Sequence, residues 1–167
     1  MRPVGTEIVI RRARPGDAAV LAELANALDL DQGGSGRAYS ESIVRRDGFG
    51  RDPAVTFLIA ERRGLAVGYA MFCKFYNSDR ALRGLFLNDL YVAPQARREG
   101  LGRRLMAAVA GEARKHGGCC IWWGVYSANR RARAFYDSLG ARDEDARIQE
   151  LDGEAFASLA DLAERGN

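Results

Sequence analysis

A glycine- and arginine-rich turn lies between an apolar stretch and a helical pattern near the middle of the chain. The turn contains Arg97, Arg98, Gly100 and Gly102, and the helical pattern begins at Leu101. The first N–H groups of a helix have no backbone acceptors and carry the positive end of the helix dipole. Because glycine has no side chain to cover these groups, a diphosphate could approach them closely. The residue types and their spacing therefore predict an anion site.

A second interpretation of this turn stays open from the residues alone, in which the glycines only form a tight connection between a strand and a helix. Two other phosphate motifs are absent, because the chain has neither G-x-x-x-x-G-K-[ST] nor a G-x-G-x-x-G after a strand. The glycine-rich stretch at residues 33–36 has no lysine and follows a helix, which favours a flexible connection there.

Apolar periodicity and turn residues predict the elements that position the turn. Alternating apolar residues are typical of strands, and apolar residues spaced by three and four are typical of helices. The stretch at 119–126 is apolar enough to be a strand covered on both faces. The predicted strands cover residues 7–12, 55–61, 65–76, 85–92, 119–126 and 147–151. The predicted helices cover residues 17–28, 40–47, 101–116, 129–139 and 152–162.

The composition favours one compact domain. The chain has 167 residues, and an apolar fraction of 47% is ample for a core. Its 25 basic and 22 acidic residues are mixed along the sequence and give a net charge of +3. No block of like charge resembles a nucleic-acid-binding tail.

The cysteines and the histidine argue against disulfides and metal. Cys73, Cys119 and Cys120 form neither an even set nor a C-x-x-C pair, which is typical of a reducing compartment. Since His116 is the single histidine, we expect no zinc site. The sequence has no apolar run of about 18 residues and Met1 opens no signal peptide, so we expect a cytoplasmic protein without a membrane segment.

Two motifs together resemble those of the GCN5-related N-acetyltransferase (GNAT) superfamily. Arg97-x-x-Gly100-x-Gly102 has the spacing of that family's acetyl-CoA pyrophosphate loop, and the preceding residues 89–94 look like its central strand. The segment from Asn129 to Ala141 resembles the N-x-x-A-x-x-F-Y-x-x-x-G signature of many members. The resemblance covers nearly the whole chain.

Three further segments look like the spermidine/spermine acetyltransferase subgroup, whose members include enzymes that acetylate thialysine. They are residues 47–50, 89–92 and 151–155. This chain departs from the polyamine enzymes in the central strand, where they carry Glu-Asp and it carries Asn88 and Asp89. Because an amide cannot accept a proton at neutral pH, the departure affects both the expected specificity and the identity of the base.

The resemblance implies an α/β fold with a mixed sheet, namely the GNAT acyl-CoA N-acyltransferase fold with the order β-α-α-β-β-β-α-β-α-β. Residues 1–167 would form a single N-acetyltransferase domain. The sheet would be antiparallel at first, and the helix that begins at Leu101 would cross between two parallel strands.

The resemblance also implies direct transfer of an acetyl group from acetyl-CoA to a primary amine of a small molecule, such as a polyamine or a lysine-like amino acid. Backbone groups of the central strand would pair with the pantetheine arm, and the turn would hold the diphosphate. No metal is expected. The residues expected at the cofactor are Leu90, Tyr91, Val92, Arg97, Arg98, Glu99, Gly100, Leu101, Gly102, Arg103, Asn129 and Arg133.

Tyr136 matches the family tyrosine that acts as general acid. A phenol with a pKa of about 10 can donate a proton to a departing thiolate at neutral pH. The alternative is a core tyrosine that packs beside Phe135. Asn129 could likewise be a helix N-cap, and Arg133 could lie on a solvated face.

Several groups could accept the proton of the amine. Asp89 is the nearest carboxylate by sequence, and Asn88 would orient the amine or a water molecule if it takes the place of the glutamate. Asp31 lies in a loop that shapes the acceptor pocket in relatives, where it could contact a cation or be solvated. Proton removal through water toward Asp31 or Glu150 is an alternative to Asp89. Trp122 could line an amine channel by cation–π contact or pack in the core.

Two other functions stay open at this point. One is a protein or peptide acetyltransferase, and the other is a CoA-binding module without activity. The exchange at Asn88 favours the inactive module, whereas Tyr136 disfavours it, because a pure binder needs no acid there. Many relatives are homodimers, and an apolar stripe of Phe156, Leu159 and Leu162 is compatible with a dimer or with a closed core.

Overall fold

Five strands form one sheet in the order β1-β2-β3-β4-β5 in the computed structural model, which describes residues 8–165. Strands β1 to β4 pair antiparallel, and β5 runs parallel to β4. The predicted mixed sheet is therefore confirmed. The strands are β1 (Ile8–Arg12), β2 (Thr56–Arg62), β3 (Leu65–Asn77), β4 (Leu82–Val92) and β5 (Cys120–Trp122).

The helices fall into two compact units of the chain, one ending at Trp123 and the other beginning at Gly124. Among the described residues, three α-helices belong to the first unit and two to the second, and the single-domain organisation stays a prediction. No helix within residues 8–165 is long and apolar enough to cross a membrane. The helices are α1 (Ala18–Asp31), α2 (Glu41–Phe49), α3 (Leu101–Lys115), α4 (Arg130–Asp137) and α5 (Gly153–Arg165).

Helix α3 connects β4 to β5 and buries one apolar face. Leu101, Leu105, Met106 and Val109 recur at helical spacing, and none of them is more than 7% exposed. Burying a side chain of this size contributes about 1.5–3 kcal/mol. The helix thus holds its N-terminus, and the turn before it, at a fixed place beside the end of β4.

A second core forms from residues that alternate along β2, β3 and β4. Phe57, Tyr69 and Tyr91 pack in one cluster with Leu21 of α1 and Val44 of α2. The ring centroid of Tyr69 lies 6.4 Å from that of Phe57 and 6.3 Å from that of Tyr91. This aromatic row fixes the end of β4 that leads into the glycine-rich turn.

A buried carboxylate on α3 pairs with two exposed cations, one on β1 and one on α3. Glu112 is 4% exposed and accepts hydrogen bonds from Nε of Arg12 at 2.9 Å and from Nζ of Lys115 at 2.6 Å. Burial raises the pKa of Glu112, but the two cations outweigh that effect and hold the pKa below its ordinary value. The carboxylate is therefore ionised and compensated in the folded protein.

Strand β5 is shorter than the predicted strand over residues 119–126. It pairs only with residues 84–86 of β4, and its residues are half-buried, so the prediction of a long strand covered on both faces was wrong. The rings of Trp122 and Phe75 lie 4.9 Å apart, and this ring packing accommodates the aromatic bulk without a longer strand.

The predicted edge strand at 147–151 was also wrong, because residues 141–152 form no helix or strand. This segment contains Asp143, Glu144 and Asp145, whose residue types are depleted in strands, and residues 142–152 are exposed. Helix α5 follows as expected, and its apolar stripe of Phe156, Leu159 and Leu162 is 59%, 61% and 63% exposed.

Helix α2 continues past its predicted end. We expected it to stop at Gly48, but it extends to Phe49, whose ring stacks on that of Phe57 with centroids 6.2 Å apart. A Cβ atom at Gly48 would lie 2.6 Å from the Phe57 ring. The glycine therefore permits close approach and does not end the helix.

The residues before α1 differ from the prediction in the role of Asp17. Asp17 precedes α1 as predicted, but its side chain caps no N–H group of that helix. The carboxylate accepts from Nη1 of Arg11 at 2.7 Å and from the N–H group of Arg14 at 2.7 Å. The predicted first residue of β1, Glu7, lies outside the described residues.

Candidate active site

The turn between β4 and α3 has the backbone geometry of an anion cradle. Arg98 and Gly100 have φ angles of +66° and +76°, which is the left-handed region that disfavours side chains. The N–H groups of Arg98, Gly100 and Gly102 donate to no acceptor among residues 8–165. A Cβ atom at Gly100 would meet nothing within 4 Å, so the cradle is open. The residues present therefore fit a diphosphate group.

Beyond Phe86 one edge of β4 is not paired with any described strand. The N–H group of Ala93 donates to the carbonyl oxygen of Val67 on β3 at 2.9 Å. Because backbone groups alternate along a strand, those of Leu90 and Val92 point away from β3, toward the unpaired edge. An extended ligand can pair with these groups as an added strand does.

A β-bulge interrupts β4 at Asn88. Met71 of β3 pairs with Asp89 and Phe72 pairs with Leu87, so Asn88 has no partner on β3. The side chain of Asn88 is exposed, and that of Asp89 is half-buried. The two predicted substrate-side residues thus lie where the ladder is broken, and they differ in their access to solvent.

Asp89 is held by a buried phenol. The hydroxyl group of Tyr69 donates to Oδ2 of Asp89 at 2.8 Å, and Tyr69 is 0% exposed. Burial raises the pKa of Asp89 above its ordinary value, and the hydrogen bond from Tyr69 opposes this in part. Within the described residues, no second donor is bound to this carboxylate, which leaves Oδ1 available to a ligand.

The segment before α2 brings a second tyrosine toward Asp89. Asn26 of α1 holds the backbone of Tyr39, because its side chain accepts from the Tyr39 N–H group and donates to the Tyr39 carbonyl oxygen, each at 2.9 Å. Burial, followed by the charges of Asp89, Asp29 and Asp47, raises the pKa of the Tyr39 phenol. Tyr39 therefore lies within electrostatic reach of Asp89.

Tyr69 and Tyr39 are functional candidates that sequence reasoning missed. The alternation of Tyr69 and Met71 indicates one face of a strand, but the contact with Asp89 depends on the register between β3 and β4. No spacing along the chain reports that register, because the paired positions are about 20 residues apart.

Arg97 is bound within the turn by three groups. Its Nε–H group donates to the carbonyl oxygen of Val92 at 2.8 Å, and Nη2 pairs with the carboxylate of Asp31. Its guanidinium carbon lies 5.7 Å from the ring centroid of Tyr91. Asp31, which we expected to contact a substrate cation, is thus already paired with an arginine.

Glu99 pairs with Arg62 at the end of β2, which ties the turn to the neighbouring strand.

Trp122 contacts Phe75 in an aromatic group on β3, β4 and β5, in agreement with a packing role. Among residues 8–165 no group of three or more His, Cys, Asp or Glu side chains could hold a metal ion.

The remaining predicted residues lie in the second unit. Oδ1 of Asn129 accepts from the N–H group of Ala132 at 3.1 Å, so Asn129 caps the N-terminus of α4. This agrees with the N-cap interpretation of Asn129. Tyr136 is half-buried beside Phe135, with ring centroids 5.2 Å apart. Arg133 lies 3.4 Å from Asp143. The roles of Asn129, Arg133 and Tyr136 toward a cofactor stay predictions.

The chain is similar to proteins of one known family. The model described as Acetyltransferase (GNAT) family matches residues 21–141. The thialysine N-epsilon-acetyltransferase of Bos taurus is 30% identical over 166 residues, covering 92% of this chain and 97% of the relative. The L-ornithine N5-acetyltransferase of Arabidopsis thaliana is 31% identical over 99 residues, covering 59% of this chain and 43% of the relative.

Solved structures confirm the fold class. An integron cassette protein from the mobile metagenome of V. cholerae superposes with a TM-score of 0.78 at 24% identity, covering 93% of this chain and 99% of that one. The aminoglycoside N-acetyltransferase AAC(6')-Iy, solved in complex with CoA, superposes with a TM-score of 0.76 at 19% identity, covering 91% and 99%. At these identities the likeness concerns the fold alone.

Proposed function

The chain belongs to the GNAT family of N-acetyltransferases, and we propose that it transfers the acetyl group of acetyl-CoA directly to a primary amine of a small molecule. The acceptor we propose is a polyamine or a lysine-like amino acid. The observation that carries the proposal is a partly buried carboxylate, Asp89, with one free oxygen beside the unpaired edge of β4. The thialysine acetyltransferases of Bos taurus and Mus musculus, similar to this chain over 92% and 90% of its length, support the substrate class.

The cofactor, when bound, supplies the acetyl thioester, and the turn and strand of this chain hold it. The N–H groups of Arg98, Gly100, Gly102 and Arg103 receive the diphosphate at the positive end of the α3 dipole. The backbone groups of Leu90 and Val92 pair with the pantetheine arm, and Tyr91, Glu99 and Leu101 belong to the same stretch of backbone. Asn129 and Arg133 contact the cofactor from α4, and Arg97 adds charge.

Asp89 removes the proton that blocks attack by the amine. An alkyl ammonium group has a pKa of about 10, so it must lose a proton before its nitrogen can act as a nucleophile. Oδ1 of Asp89 takes this proton, which leaves a neutral amine and a carboxylic acid that returns the proton to solvent. The raised pKa of Asp89 brings it closer to the pH at which a base works best. Asn88, exposed at the bulge, orients the amine or a water molecule.

Tyr136 donates the proton that completes the transfer. With acetyl-CoA bound, the amine nitrogen would bond to the thioester carbonyl carbon and the carbon–sulfur bond would break. The sulfur would take the hydroxyl proton of Tyr136, and the proton that the acetylated nitrogen sheds would return to the Tyr136 phenolate, directly or through water. A backbone N–H group of β4 stabilises the oxygen that becomes negative in between. The match of Tyr136 to the family motif supports this role.

We further propose that the protein works without a metal, as one N-acetyltransferase domain, in the cytoplasm and as a homodimer. The exposed stripe on α5 supports the dimer, because large apolar side chains on a helix favour association. Phe156, Leu159 and Leu162 form that stripe.

Release of free thiol from acetyl-CoA, measured with a panel of amines, tests the proposed function. The panel contains spermidine, putrescine, thialysine, lysine and a histone-tail peptide, and Asp89→Asn serves as the matched variant. We expect turnover with at least one small amine and a large loss in Asp89→Asn. Turnover confined to the peptide would establish a protein acetyltransferase. Binding of CoA without turnover of any amine would establish an inactive binding module.

A further inference from the structure

We propose that Tyr69 is a positioning residue, whose hydroxyl group fixes one carboxylate oxygen of Asp89 and leaves the other turned toward the acceptor amine. This inference rests on the proposed role of Asp89 as proton acceptor. Tyr69 itself is 0% exposed, so it would act only through Asp89.

The register of the sheet makes the contact between the two side chains. Tyr69 on β3 pairs with Tyr91 on β4, and Asp89 is the residue two positions before Tyr91. Residues in this diagonal relation share a face of the sheet, about 7–8 Å apart, which a tyrosine side chain can span. The hydroxyl group reaches Oδ2 of Asp89 at 2.8 Å.

The phenol of Tyr69 cannot easily turn away from Asp89. Tyr69 is 0% exposed, and its ring lies between those of Phe57 and Tyr91, with centroid separations of 6.4 Å and 6.3 Å. A buried hydroxyl group that lost its acceptor would be left unsatisfied, which is unfavourable. Packing and hydrogen bonding therefore hold the donor in one orientation.

The backbone fixes the direction of the Asp89 side chain less strictly than that of an ordinary strand residue. The bulge at Asn88 removes one residue from the β3 ladder directly before Asp89. Bulges redirect the side chains next to them, so the backbone alone specifies the direction of Asp89 less strictly. The bond from Tyr69 supplies the missing lateral restraint.

The titratable groups around Asp89 are phenols. Tyr69 approaches from β3, Tyr39 from the segment before α2, and Tyr91 lies on β4 itself. Asp29 of α1 acts on Tyr39, and the nearby cation of Arg97 is bound to Asp31 and Val92. Tyr69 is the neighbour that donates a hydrogen bond to the ionised form of Asp89.

The sign of the effect follows from that bond. A hydrogen bond to the carboxylate favours the ionised form, whereas burial favours the neutral form. Removal of the Tyr69 hydroxyl group leaves burial unopposed, so Asp89 should hold its proton to a higher pH. We expect a shift of about one pH unit.

The test compares Tyr69→Phe with the wild type in two measurements on the full chain. The first is a 13C NMR titration of protein labelled at the aspartate carboxyl carbons, with the Asp89 signal assigned by its loss in Asp89→Asn. The second is the pH profile of kcat/KM with the best amine of the panel. We expect the Asp89 midpoint and the acid limb to rise together by about one unit, with unchanged KM for acetyl-CoA. Tyr76→Phe, which removes an exposed hydroxyl group on the same strand, should change neither.

An Asp89 midpoint that is equal in Tyr69→Phe and wild type would overturn the inference. The NMR titration gives this answer even if no amine is acetylated, so failure of the inference and failure of the proposed function are distinguishable. Should Tyr69→Phe not fold, the slowly exchanging hydroxyl proton of Tyr69 in the wild type serves instead. Its chemical shift should titrate with the Asp89 midpoint, and a shift independent of pH would contradict the proposal.

Discussion

The Nε–H group of Arg97 donates to the carbonyl oxygen of Val92 at 2.8 Å. This bond covers one of the backbone groups that, in the proposed function, would pair with a pantetheine arm. The same guanidinium pairs with Asp31, the last residue of α1. A ligand that bonds to this carbonyl oxygen must therefore share it with Arg97 or displace Arg97, and Asp31 opposes the displacement.

Replacement of Asp31 should consequently strengthen CoA binding. Asp31→Asn removes the anchor of Arg97, and an exposed ion pair of this kind corresponds to a change of about two- to fivefold in Kd. The free energy of unfolding should change by less than ~0.5 kcal/mol, because loss of the pair is offset by removal of a carboxylate from a helix C-terminus. Calorimetry with CoA measures the first effect, and urea unfolding measures the second.

The control is Asp79→Asn, which makes the same change of net charge at an exposed turn between β3 and β4. Weaker CoA binding in Asp31→Asn than in this control would mean that the Asp31–Arg97 pair preorganises the turn.

Gly100 offers a test of the diphosphate cradle with a matched glycine elsewhere. Gly100 and Gly64 have φ angles of +76° and +77°, and a Cβ atom at either would meet nothing within 4 Å. Alanine should cost about 1–2 kcal/mol of unfolding free energy at both positions, because of backbone strain alone. Gly100→Ala should in addition raise the Kd for CoA about tenfold or more, since its methyl group enters the cradle. Equal Kd values for the two variants would remove the cradle from the proposal.

Tyr136→Phe separates proton donation from cofactor binding. We expect kcat to fall about a hundredfold, because the departing sulfur loses its acid, while the Kd for acetyl-CoA stays within error. Steady-state kinetics and calorimetry measure the two quantities. Tyr126→Phe is the control, since Tyr126 lies in the same unit and is 70% exposed. Near-normal turnover of Tyr136→Phe would assign Tyr136 to packing beside Phe135.

Glu112→Gln tests the buried carboxylate that links α3 to β1. The variant should lower the free energy of unfolding at pH 7 by about 1–2 kcal/mol, because the buried side chain loses its charge-assisted hydrogen bonds while Arg12 and Lys115 stay exposed to water. The folded-state pKa of Glu112 lies below its ordinary value, so its contribution is present at neutral pH and is lost as pH falls through the lowered pKa. The gap between wild type and variant should therefore be constant from about pH 6 to 8 and narrow below about pH 4.5.

Chemical unfolding across this pH range provides the measurement. Glu41→Gln removes the exposed pair with Arg45, whose two side chains are each 49% exposed, and should cost less than ~0.5 kcal/mol. A loss in Glu112→Gln no larger than in Glu41→Gln would contradict a stabilising role for the buried carboxylate.

The strand, turn and helix around the cradle could be predicted because their signals are local. Leu101, Leu105 and Val109 recur at helical spacing, and Gly100 stands at the boundary. These signals predict a helix over residues 101–116, and α3 covers Leu101–Lys115, one residue fewer. The mixed sheet and the helix crossing between parallel strands followed from the family resemblance and are confirmed.

The contacts that position Asp89 could not be predicted, because they depend on pairing between distant strands. The bond between Tyr69 and Asp89 needs the β3–β4 register and the bulge at Asn88, neither of which leaves a pattern within one segment. The error at Gly48 has the same origin. Gly48 was interpreted as a helix end, although the ring of Phe57 requires the space.

Because β5 is short, part of β4 has no strand paired with it, and this favours aggregation of the protein. A strand with unpaired N–H and C=O groups is a template for another polypeptide, and edge-to-edge aggregation follows when nothing covers it. Beyond Phe86, β4 presents such an edge, and the side chain of Arg97 shields a single carbonyl oxygen of it. Concentrated protein free of CoA should therefore aggregate on storage, and excess CoA should suppress this aggregation. The turbidity of the solution measures both effects.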